Sequence, residues 1–329
     1  MERNRTALVL GATGGIGSGI AAALLLHGWR VRGMIRKAAK IPGESPVGIE
    51  WITGDAMRRD DVVGAAQGVS IIVHAVNPPN YGNWETLVLP MIDNTIAAAR
   101  SAGNARVVLP GTIYNFDPAA TPVIDADTVQ QPKSRKGLIR VALEERLRQA
   151  APEVPSLILR AGDFFGPGAR SSWFAQAMVS PGKPLRRIVD PATGPGHSWA
   201  YLPDLAETFA RLLDAPGSLR PFEVLQFEGL CDHDGTRMVE AIRRASGRRL
   251  RVFRFPWWLM RIAGLFGGFP REAAEIAPYW RHPVRLDNTR LQALLGQEPR
   301  TPLDVAVTET LAALGCLDRP ARLLDPQAA

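Results

Sequence analysis

Short apolar segments alternate with helical patterns through the first two thirds of the chain. The apolar segments read TALVL, WRVRGMI, IEWIT, SIIVHAV, ARVVLP and SLILRA, and each has the length and composition of a buried strand. Helical patterns fill intervals at about residues 16–27, 60–67, 84–101 and 134–149. Parallel strands need a crossover connection, so this alternation predicts helices on both faces of the sheet. The predicted fold is an α/β, doubly wound parallel sheet.

A glycine-rich segment, LVLGATGGIG, follows the first predicted strand and opens the first predicted helix. Glycine permits a tight turn and a close backbone approach, and the helix N-terminus offers unpaired N–H groups and the positive end of its dipole. This arrangement is typical of a pyrophosphate site, so we predict a dinucleotide cofactor. The predicted contacts are Gly11, Thr13, Gly14, Gly15, Ile16 and Gly17.

The end of the second strand bears on the kind of cofactor. An NAD site usually carries an acidic residue there for the ribose hydroxyls, whereas this chain reads MIRK. Arg36 and Lys37 would attract a 2'-phosphate, so the sequence favours NADP over NAD, with the alternative that Lys37 simply faces water. Further predicted cofactor contacts follow the third and fourth strands: Asp55, suited to the adenine amino group, Ala56, His74, Ala75 and Val76.

Charge and composition restrict the other partners. The net charge is +7, but the arginines form no long basic run and no nucleic-acid motif, which argues against nucleic acid and for a small anionic ligand. Cys231 and Cys316 have no metal-ligand spacing. The N-terminus leads directly into a strand, and no uncharged apolar run reaches about 18 residues, so we expect a cytoplasmic protein without an integral membrane segment. The segment FPWWLMRIAGLFGGFP is read as a pocket wall in preference to a surface-lying amphipathic helix.

Several motifs together resemble the extended short-chain dehydrogenase/reductase family, which includes nucleotide-sugar epimerases and dehydratases and steroid and flavonol reductases. They are GATGGIG, GDAMRRDDVVGAAQGVSIIVHAV, ILRAGDFFGPG, HSWAYLPDLAETFARLL and LDNTRLQALLGQEPRTPLDVAV, in the family's order. The resemblance implies a Rossmann fold, a nicotinamide cofactor, a smaller C-terminal substrate-binding region and a homodimer. We expect a dinucleotide-binding domain at 1–165, to which 196–230 return, and a substrate-binding region at 166–195 and 231–329.

The usual catalytic residues of this family, a Ser or Thr, a Tyr and a Lys four residues later, are all replaced. Matching VVLPGTIYN puts Pro110 at the hydroxyl position, with Thr112 two residues on, and matching QPKSRKGLIRVALEE puts Lys136 and Arg140 at the tyrosine and lysine positions. Arg140 keeps a cation for the ribose. The neighbouring positive charge would lower the pKa of Lys136 and favour its neutral amine, so that Lys136 would donate a proton or bind a substrate carboxylate. Alternatively, Arg140 pairs with Glu144 and Lys136 faces water.

Other candidates lie nearby. Tyr114 offers a second hydroxyl beside Thr112. Arg160 is predicted near the nicotinamide amide, and Asp163, where the family often has asparagine, would bond Lys136 or serve as a base. We expect two or three of the aromatic residues Trp173, Phe174, Trp199, Tyr201, Trp257, Trp258, Tyr279 and Trp280 to contact a small-molecule substrate, with Arg170, His197 and Arg281 at the pocket's edges.

Three functions remain open on the sequence. The first is an NADP(H)-dependent oxidoreductase acting on a carbonyl or activated double bond of a small, largely apolar molecule. The second, implied by the resemblance alone, is a nucleotide-sugar epimerase or dehydratase. The third is a non-catalytic sensor of the NADP redox state, suggested by the replaced catalytic residues.

Overall fold

A seven-stranded parallel sheet forms the centre of the computed structural model, which describes residues 5–37, 46–78, 82–193 and 196–317. Its strands are β1 (Thr6–Leu10), β2 (Arg30–Ile35), β3 (Ile49–Thr53), β4 (Ile71–His74), β5 (Arg106–Gly111), β7 (Ser156–Arg160) and β11 (Phe222–Gln226). They lie side by side in the order β11-β7-β5-β4-β1-β2-β3. The doubly wound parallel sheet predicted from the sequence is confirmed.

Helices cover both faces of this sheet because its strands are apolar on both sides. In β1, Leu8 and Leu10 face one apolar cluster and Ala7 and Val9 face the other. Such burial on both faces is typical of parallel strands. The helices are α1 (Gly15–Leu26), α2 (Arg59–Ala65), α3 (Trp84–Ser101), α4 (Arg135–Ala150), α5 (Leu202–Asp214), α6 (Arg237–Ser246), α7 (Trp257–Ala263), α8 (Gly268–Arg281), α9 (Thr289–Leu295) and α10 (Leu303–Ala313).

Shorter strands form smaller sheets outside the central one. A three-stranded sheet joins β8 (Asp163–Phe165), β10 (His197–Tyr201) and β12 (Leu230–Asp232). Two pairs complete the set: β9 (Arg187–Asp190) with β13 (Arg251–Arg254), and β6 (Val123–Ile124) with β14 (Arg285–Leu286). Residues 194 and 195 of the predicted DPATGPGHSW loop lie outside the described residues. The division into two regions stays a prediction.

None of the helices in the described ranges combines the length and the apolar character that crossing a bilayer requires.

Candidate functional site

The carboxyl ends of β1 and β4 meet at the point where the strand order reverses, because the chain runs from β1 outward to β3 and then returns to β4 on the other side. Ligands of open α/β sheets bind at such a switch point. Gly11 follows β1 with φ +85°, and a Cβ on it would lie 2.5 Å from the carbonyl oxygen of Ala75 after β4. Only glycine allows the two strand ends to approach so closely.

The loop between β1 and α1 is equally crowded at its other end. A Cβ on Gly17 would lie 2.2 Å from the Gly11 carbonyl oxygen, and one on Gly15 would lie 2.9 Å from the Gly168 carbonyl oxygen. The first turn of α1 carries no acidic residue, so its N–H groups and positive dipole end keep their affinity for an anion. The loop is therefore a cradle that fits the pyrophosphate of a dinucleotide.

Charged and polar side chains flank this loop. Arg36 and Lys37 follow β2, the neighbour of β1, and both are exposed, as is Thr13. Asp55 follows β3, where its backbone N–H donates to Asp61 and its carboxylate accepts from Met57 N at 3.0 Å. The two predicted cations thus lie at the carboxyl ends of the strands, next to the strand that leads into the glycine loop, and they are accessible to a ligand.

A cavity of about 520 Å³ begins at Gly14, Gly15 and Ile16 and extends over the carboxyl ends of β4, β5 and β7. Its volume is in the range of small-molecule sites. Its aromatic wall consists of Trp84, Phe164, Trp173, Phe255 and Phe269. Polar side chains facing the cavity include Asn77, Thr112, Arg140, Asp163, Ser171, Ser172 and Gln176.

Arg140 is held against the cavity by neighbours on two other elements. Its Nη2 donates to Asn77 Oδ1 at 3.2 Å, and its guanidinium carbon lies 4.9 Å from the centre of the Trp84 ring. Stacking on an aromatic face orients a guanidinium without consuming all its donors. Glu144, the helical partner considered from the sequence, instead pairs with Arg160.

Asp163 forms a pair with His197 at the cavity wall. Asp163 Oδ2 lies 2.7 Å from His197 Nε2, and the histidine is buried. The imidazole stacks on Trp280, with ring centres 3.7 Å apart and planes at 9°. This packing fixes the imidazole, which in turn orients a carboxylate that lines the cavity. The sequence placed His197 at the pocket's edge but did not pair it with Asp163.

Lys136 does not lie where the sequence placed it. Its ammonium pairs with Glu272 and, at 2.8 Å, with Glu275, both on α8, and it is not among the cavity-lining residues. It therefore neither bonds Asp163 nor faces water: it is 2% exposed and part of a buried ion pair. Two carboxylates on α8, distant in sequence, draw the side chain away from the cavity.

Arg160 also lies away from the predicted nicotinamide position. Its Nη2 donates to Glu144 at 2.5 Å and its guanidinium lies over Phe116, while Gly111 packs on its side chain. It faces a second, polar cavity of about 380 Å³ lined by residues of α4 and the segment before it. A glutamate on α4 satisfies this cation, which turns it from the sheet's carboxyl edge.

His74 contributes a buried side chain rather than a cavity contact. Burial, reinforced by the nearby Arg140 charge, lowers its pKa to about 3. The ring is therefore neutral. Its Nδ1 lies 2.8 Å from the Thr95 hydroxyl, which donates to the Met91 carbonyl, so Nδ1 carries the proton and donates to threonine. Of the three predicted residues at this strand end, Ala75 lines the cavity.

Tyr114 and Thr112 lie together at the end of β5. Thr112 Oγ1 accepts from the Tyr114 backbone N–H at 2.9 Å, and both residues line the cavity. The Tyr114 ring packs against Tyr279, with centres 5.0 Å apart. The Tyr279 hydroxyl lies 2.9 Å from the carbonyl oxygens of both Tyr114 and Phe116, and burial raises its pKa to about 12. Tyr279 thus anchors this strand end from α8.

Most of the predicted aromatic lining is core. Of the eight aromatic residues named from the sequence, Trp173 lines the cavity; the others are buried outside it, except Trp258, which is exposed. Trp84, Phe164, Phe255 and Phe269 were missed. Burial of large aromatic rings is decided by long-range packing, which single-sequence patterns do not report.

Comparisons with known proteins agree with this geometry. Residues 11–150 match a family model described as NAD(P)H-binding. A Streptomyces protein, 3-diazoavenalumate denitrifying reductase, is 28% identical over 176 residues, which span 49% of this chain and 57% of that protein. The alignment thus covers little more than half of the relative's length.

Solved structures show the same fold over nearly the whole chain. The UDP-glucuronic acid 4-epimerase of Bacillus cereus, in complex with NAD, superposes with a TM-score of 0.72 at 16% identity and covers 97% of this chain and 99% of its own. The dTDP-glucose 4,6-dehydratase of Streptomyces venezuelae, with NAD bound, gives 0.70 at 15%, covering 94% and 96%. Residues 11–150 of this chain thus match an NAD(P)H-binding family model, and the chain as a whole has the fold of these epimerase and dehydratase structures, which confirms the fold predicted from the sequence.

Proposed function

We propose that this protein is an NADP(H)-dependent oxidoreductase that acts on a carbonyl or activated double bond of a small, largely apolar substrate. One observation carries the proposal: one cavity includes both the start of α1 and an aromatic wall, so the pyrophosphate and nicotinamide of a dinucleotide can lie in it beside an apolar molecule. The reductase relative supports the oxidoreductase assignment.

The glycine loop and the basic side chains after β2 would hold the cofactor. Gly15 and Ile16, at the start of α1, offer backbone N–H groups to the pyrophosphate, and Arg36 and Lys37 offer cations to a 2'-phosphate. Arg140, fixed by Asn77 and Trp84, would donate to the nicotinamide ribose. When bound, NADPH supplies the hydride that reduces the substrate.

The chain's own residues would then supply orientation and a proton. Thr112 accepts a hydrogen bond from backbone and keeps its own O–H to donate to a substrate oxygen. Asp163, held by His197, is the cavity carboxyl we assign as the proton donor, in place of the family's tyrosine. Tyr114 is the second candidate for this role, whereas Lys136 is not, because its ammonium is engaged with α8.

The apolar wall argues against a nucleotide-sugar substrate, for which polar partners would be needed, and the tyrosine and lysine used by the family are replaced. NAD that copurifies with the protein in tightly bound form would favour the epimerase or dehydratase alternative. Binding of NADPH without turnover of any carbonyl or alkene in a broad panel would favour the redox sensor. The homodimer and the cytoplasmic location stay predictions.

Replacing Arg36 tests the choice of NADP. Arg36→Ser should raise the NADPH dissociation constant about 10- to 100-fold and leave NADH binding unchanged. This change corresponds to the loss of one charge-assisted hydrogen bond, which contributes roughly 1.5–3 kcal/mol. Arg30→Ser is the matched control, because Arg30 is exposed at the opposite end of the same strand. Nicotinamide fluorescence titration measures both constants. Equal losses for NADPH and NADH would contradict a 2'-phosphate contact.

A further inference from the structure

Exposed apolar side chains surround the turn between α7 and α8. Phe266 is 91% exposed, Leu265 83% and Trp258 65%. We call this surface the apolar ridge; its residues are Phe253, Trp258, Leu259, Ile262, Leu265, Phe266 and Phe269. Water-soluble monomers rarely leave so many large apolar side chains exposed side by side. The ridge therefore requires an explanation.

The backbone builds the tip of the ridge as a defined turn. A short 3₁₀ turn, Gly264–Phe266, follows α7, and Gly267 and Gly268 then adopt φ of +87° and +66° before α8 continues. Both values lie in the left-handed region that favours glycine. A Cβ on Gly264 would lie 3.1 Å from the Arg271 Cα, so the two helices meet closely behind the tip. The geometry holds Leu265 and Phe266 outward.

The ridge also lies in the part of the sequence that carries the chain's excess of positive charge. Residues 241–271 contain eight arginines and no Asp or Glu, and subtracting this +8 from the net +7 leaves the remainder at −1. Arg243 and Arg244 pair with Glu240 and Asp304. The other six are exposed: Arg248, Arg249, Arg251, Arg254, Arg261 and Arg271. The last four lie on β13, α7 and α8, the elements that carry the ridge.

We propose that the apolar ridge docks this protein on the surface of an anionic lipid bilayer. Apolar side chains flanked by arginines are the combination that interfacial helices use, because the rings enter the acyl boundary while the cations meet lipid phosphates. α7 has seven residues, too few to span a bilayer, so the docking is peripheral.

Charge distinguishes a bilayer from a second copy of the chain. A two-fold interface places the same patch on both subunits, so it would bring one arginine-rich surface against another. Like charges across an interface oppose association, whereas an anionic surface attracts every one of these arginines. The observed charge distribution therefore favours lipid.

The ridge continues into the cavity. Phe269 belongs to both surfaces, and Phe255, between β13 and α7, lines the cavity as well. A docked molecule would thus present its aromatic wall to the bilayer. This step rests on the proposed function: the substrate would be a lipophilic carbonyl or alkene that reaches the cavity from the membrane.

Vesicle sedimentation of the full chain, without cofactor or substrate, tests the docking itself. The protein should sediment with phosphatidylcholine vesicles that contain phosphatidylglycerol and bind pure phosphatidylcholine vesicles at least about tenfold more weakly. Leu265→Ser with Phe266→Ser should reduce binding about 10- to 100-fold, because two exposed side chains lose their apolar contact. Leu26→Ser is the matched control, since Leu26 is 87% exposed at the end of α1.

Charge and fluorescence provide independent readouts. Arg261→Gln with Arg271→Gln should weaken binding to the anionic vesicles about tenfold. Vesicles should shift the tryptophan emission to shorter wavelength, and Trp258→Phe should remove most of that shift. Failure to bind anionic vesicles, or unchanged binding by the Leu265 and Phe266 variant, would overturn the proposal. A dimer lost in that same variant, without vesicle binding, would instead assign the ridge to a second copy.

The two proposals fail separately. Vesicle binding by a protein that ignores NADPH would leave the docking intact and remove the proposed function, whereas NADPH turnover without vesicle binding would do the reverse. If both hold, adding anionic vesicles should lower the apparent KM for a lipophilic substrate and leave the KM for a water-soluble one unchanged. An equal effect on both substrates would contradict entry from the bilayer.

Discussion

Asp163 is the cavity side chain whose role is most open to direct test at the scale of single residues. Asp163→Asn keeps the shape and can still bond His197, but an amide cannot exchange a proton with the substrate. We expect kcat to fall about 100-fold or more, in the range of lost general acid–base catalysis, with an unchanged NADPH dissociation constant. Steady-state kinetics and fluorescence titration measure the two quantities.

Controls separate chemistry from packing at this position. His197→Gln changes the residue that positions Asp163, so it should shift the pH profile of kcat more than it changes NADPH binding. Tyr114→Phe removes the hydroxyl of the second candidate. Wild-type kcat in Asp163→Asn, with a large loss in Tyr114→Phe, would transfer the proton-donor role to the tyrosine.

The sequence located the glycine loop but not the partners of the charged side chains, for a physical reason. A glycine loop is recognisable because its strand, turn and helix are local, and Gly14, Gly15 and Ile16 do line the cavity. The partners of Lys136 are 136 and 139 residues away on α8, and those of Asp163 and Arg160 were equally hidden. A charged side chain goes to its best counter-ion, and a single sequence does not say which one that is.

At the scale of elements, the strands and helices before residue 161 were predicted to within two residues, except the two-residue strand β6, which was missed. Their apolar runs are long, and glycine or proline marks their ends. The small sheet of β8, β10 and β12 was not predicted. Its strands have three to five residues each, and their pairing depends on contacts across the chain. Short strands carry too little pattern to be recognised alone.

The ion pairs of Lys136 join α4 to α8 and should stabilise that contact. Burial raises the pKa of Glu275, but hydrogen bonds from Lys136 outweigh burial and hold the pKa below its usual value. Lys136→Met should lower the free energy of unfolding by about 2–4 kcal/mol, somewhat less than for a fully buried pair, because both glutamates keep some solvent contact. Urea unfolding measures the change, and NADPH binding should persist.

A surface lysine provides the matched comparison. Lys133 pairs with Asp117 but is 80% exposed, so Lys133→Met should cost less than about 1 kcal/mol. Equal losses for the two variants would contradict a structural role for Lys136. Loss of turnover without loss of stability in Lys136→Met would return it to the catalytic residues.

His27 connects the end of α1 to α5 in a pH-dependent way. Its ring nitrogens lie 2.6 Å from Asp214 and 3.0 Å from Glu207. The hydrogen bond to Asp214 raises its pKa above 6.5, against the opposing effect of burial. A raised pKa means that the stabilisation is complete below the unfolded value of about 6.5 and is lost as the pH rises through the folded value.

His27→Gln should therefore destabilise the protein more at about pH 5.5 than at about pH 9, by up to roughly 1 kcal/mol for this partly exposed pair. Urea unfolding at the two pH values measures the difference. His233→Gln is the control, since His233 is exposed and far from these carboxylates in sequence. A loss that grows with rising pH would have the wrong sign and would contradict this ion pair.

At the scale of the whole molecule, the cavity walls come from both ends of the chain. Gly14 to Ile16 lie at the start of the first helix, while Phe255 and Phe269 lie in the C-terminal region. A cofactor bound only to the folded state stabilises it by RT ln(1 + [L]/Kd), about 2.7 kcal/mol at a hundredfold excess over Kd. We expect NADPH to raise the Tm by a few degrees, and NADH by less at the same concentration.

Two glycines of α1 make this prediction specific to the loop. Gly17→Ala should abolish the NADPH-dependent rise in Tm, because its Cβ would lie 2.2 Å from the Gly11 carbonyl oxygen and force the loop open. In Gly19→Ala, two residues further along α1, the new Cβ would have its nearest neighbour at 3.5 Å. This variant should keep the full rise, while the alanine itself adds up to about 1 kcal/mol of stability. Scanning calorimetry with and without NADPH measures all three proteins. If Gly17→Ala kept the full NADPH-dependent rise in Tm, the dinucleotide would have to bind elsewhere, because the displaced loop could not hold its pyrophosphate at the start of α1.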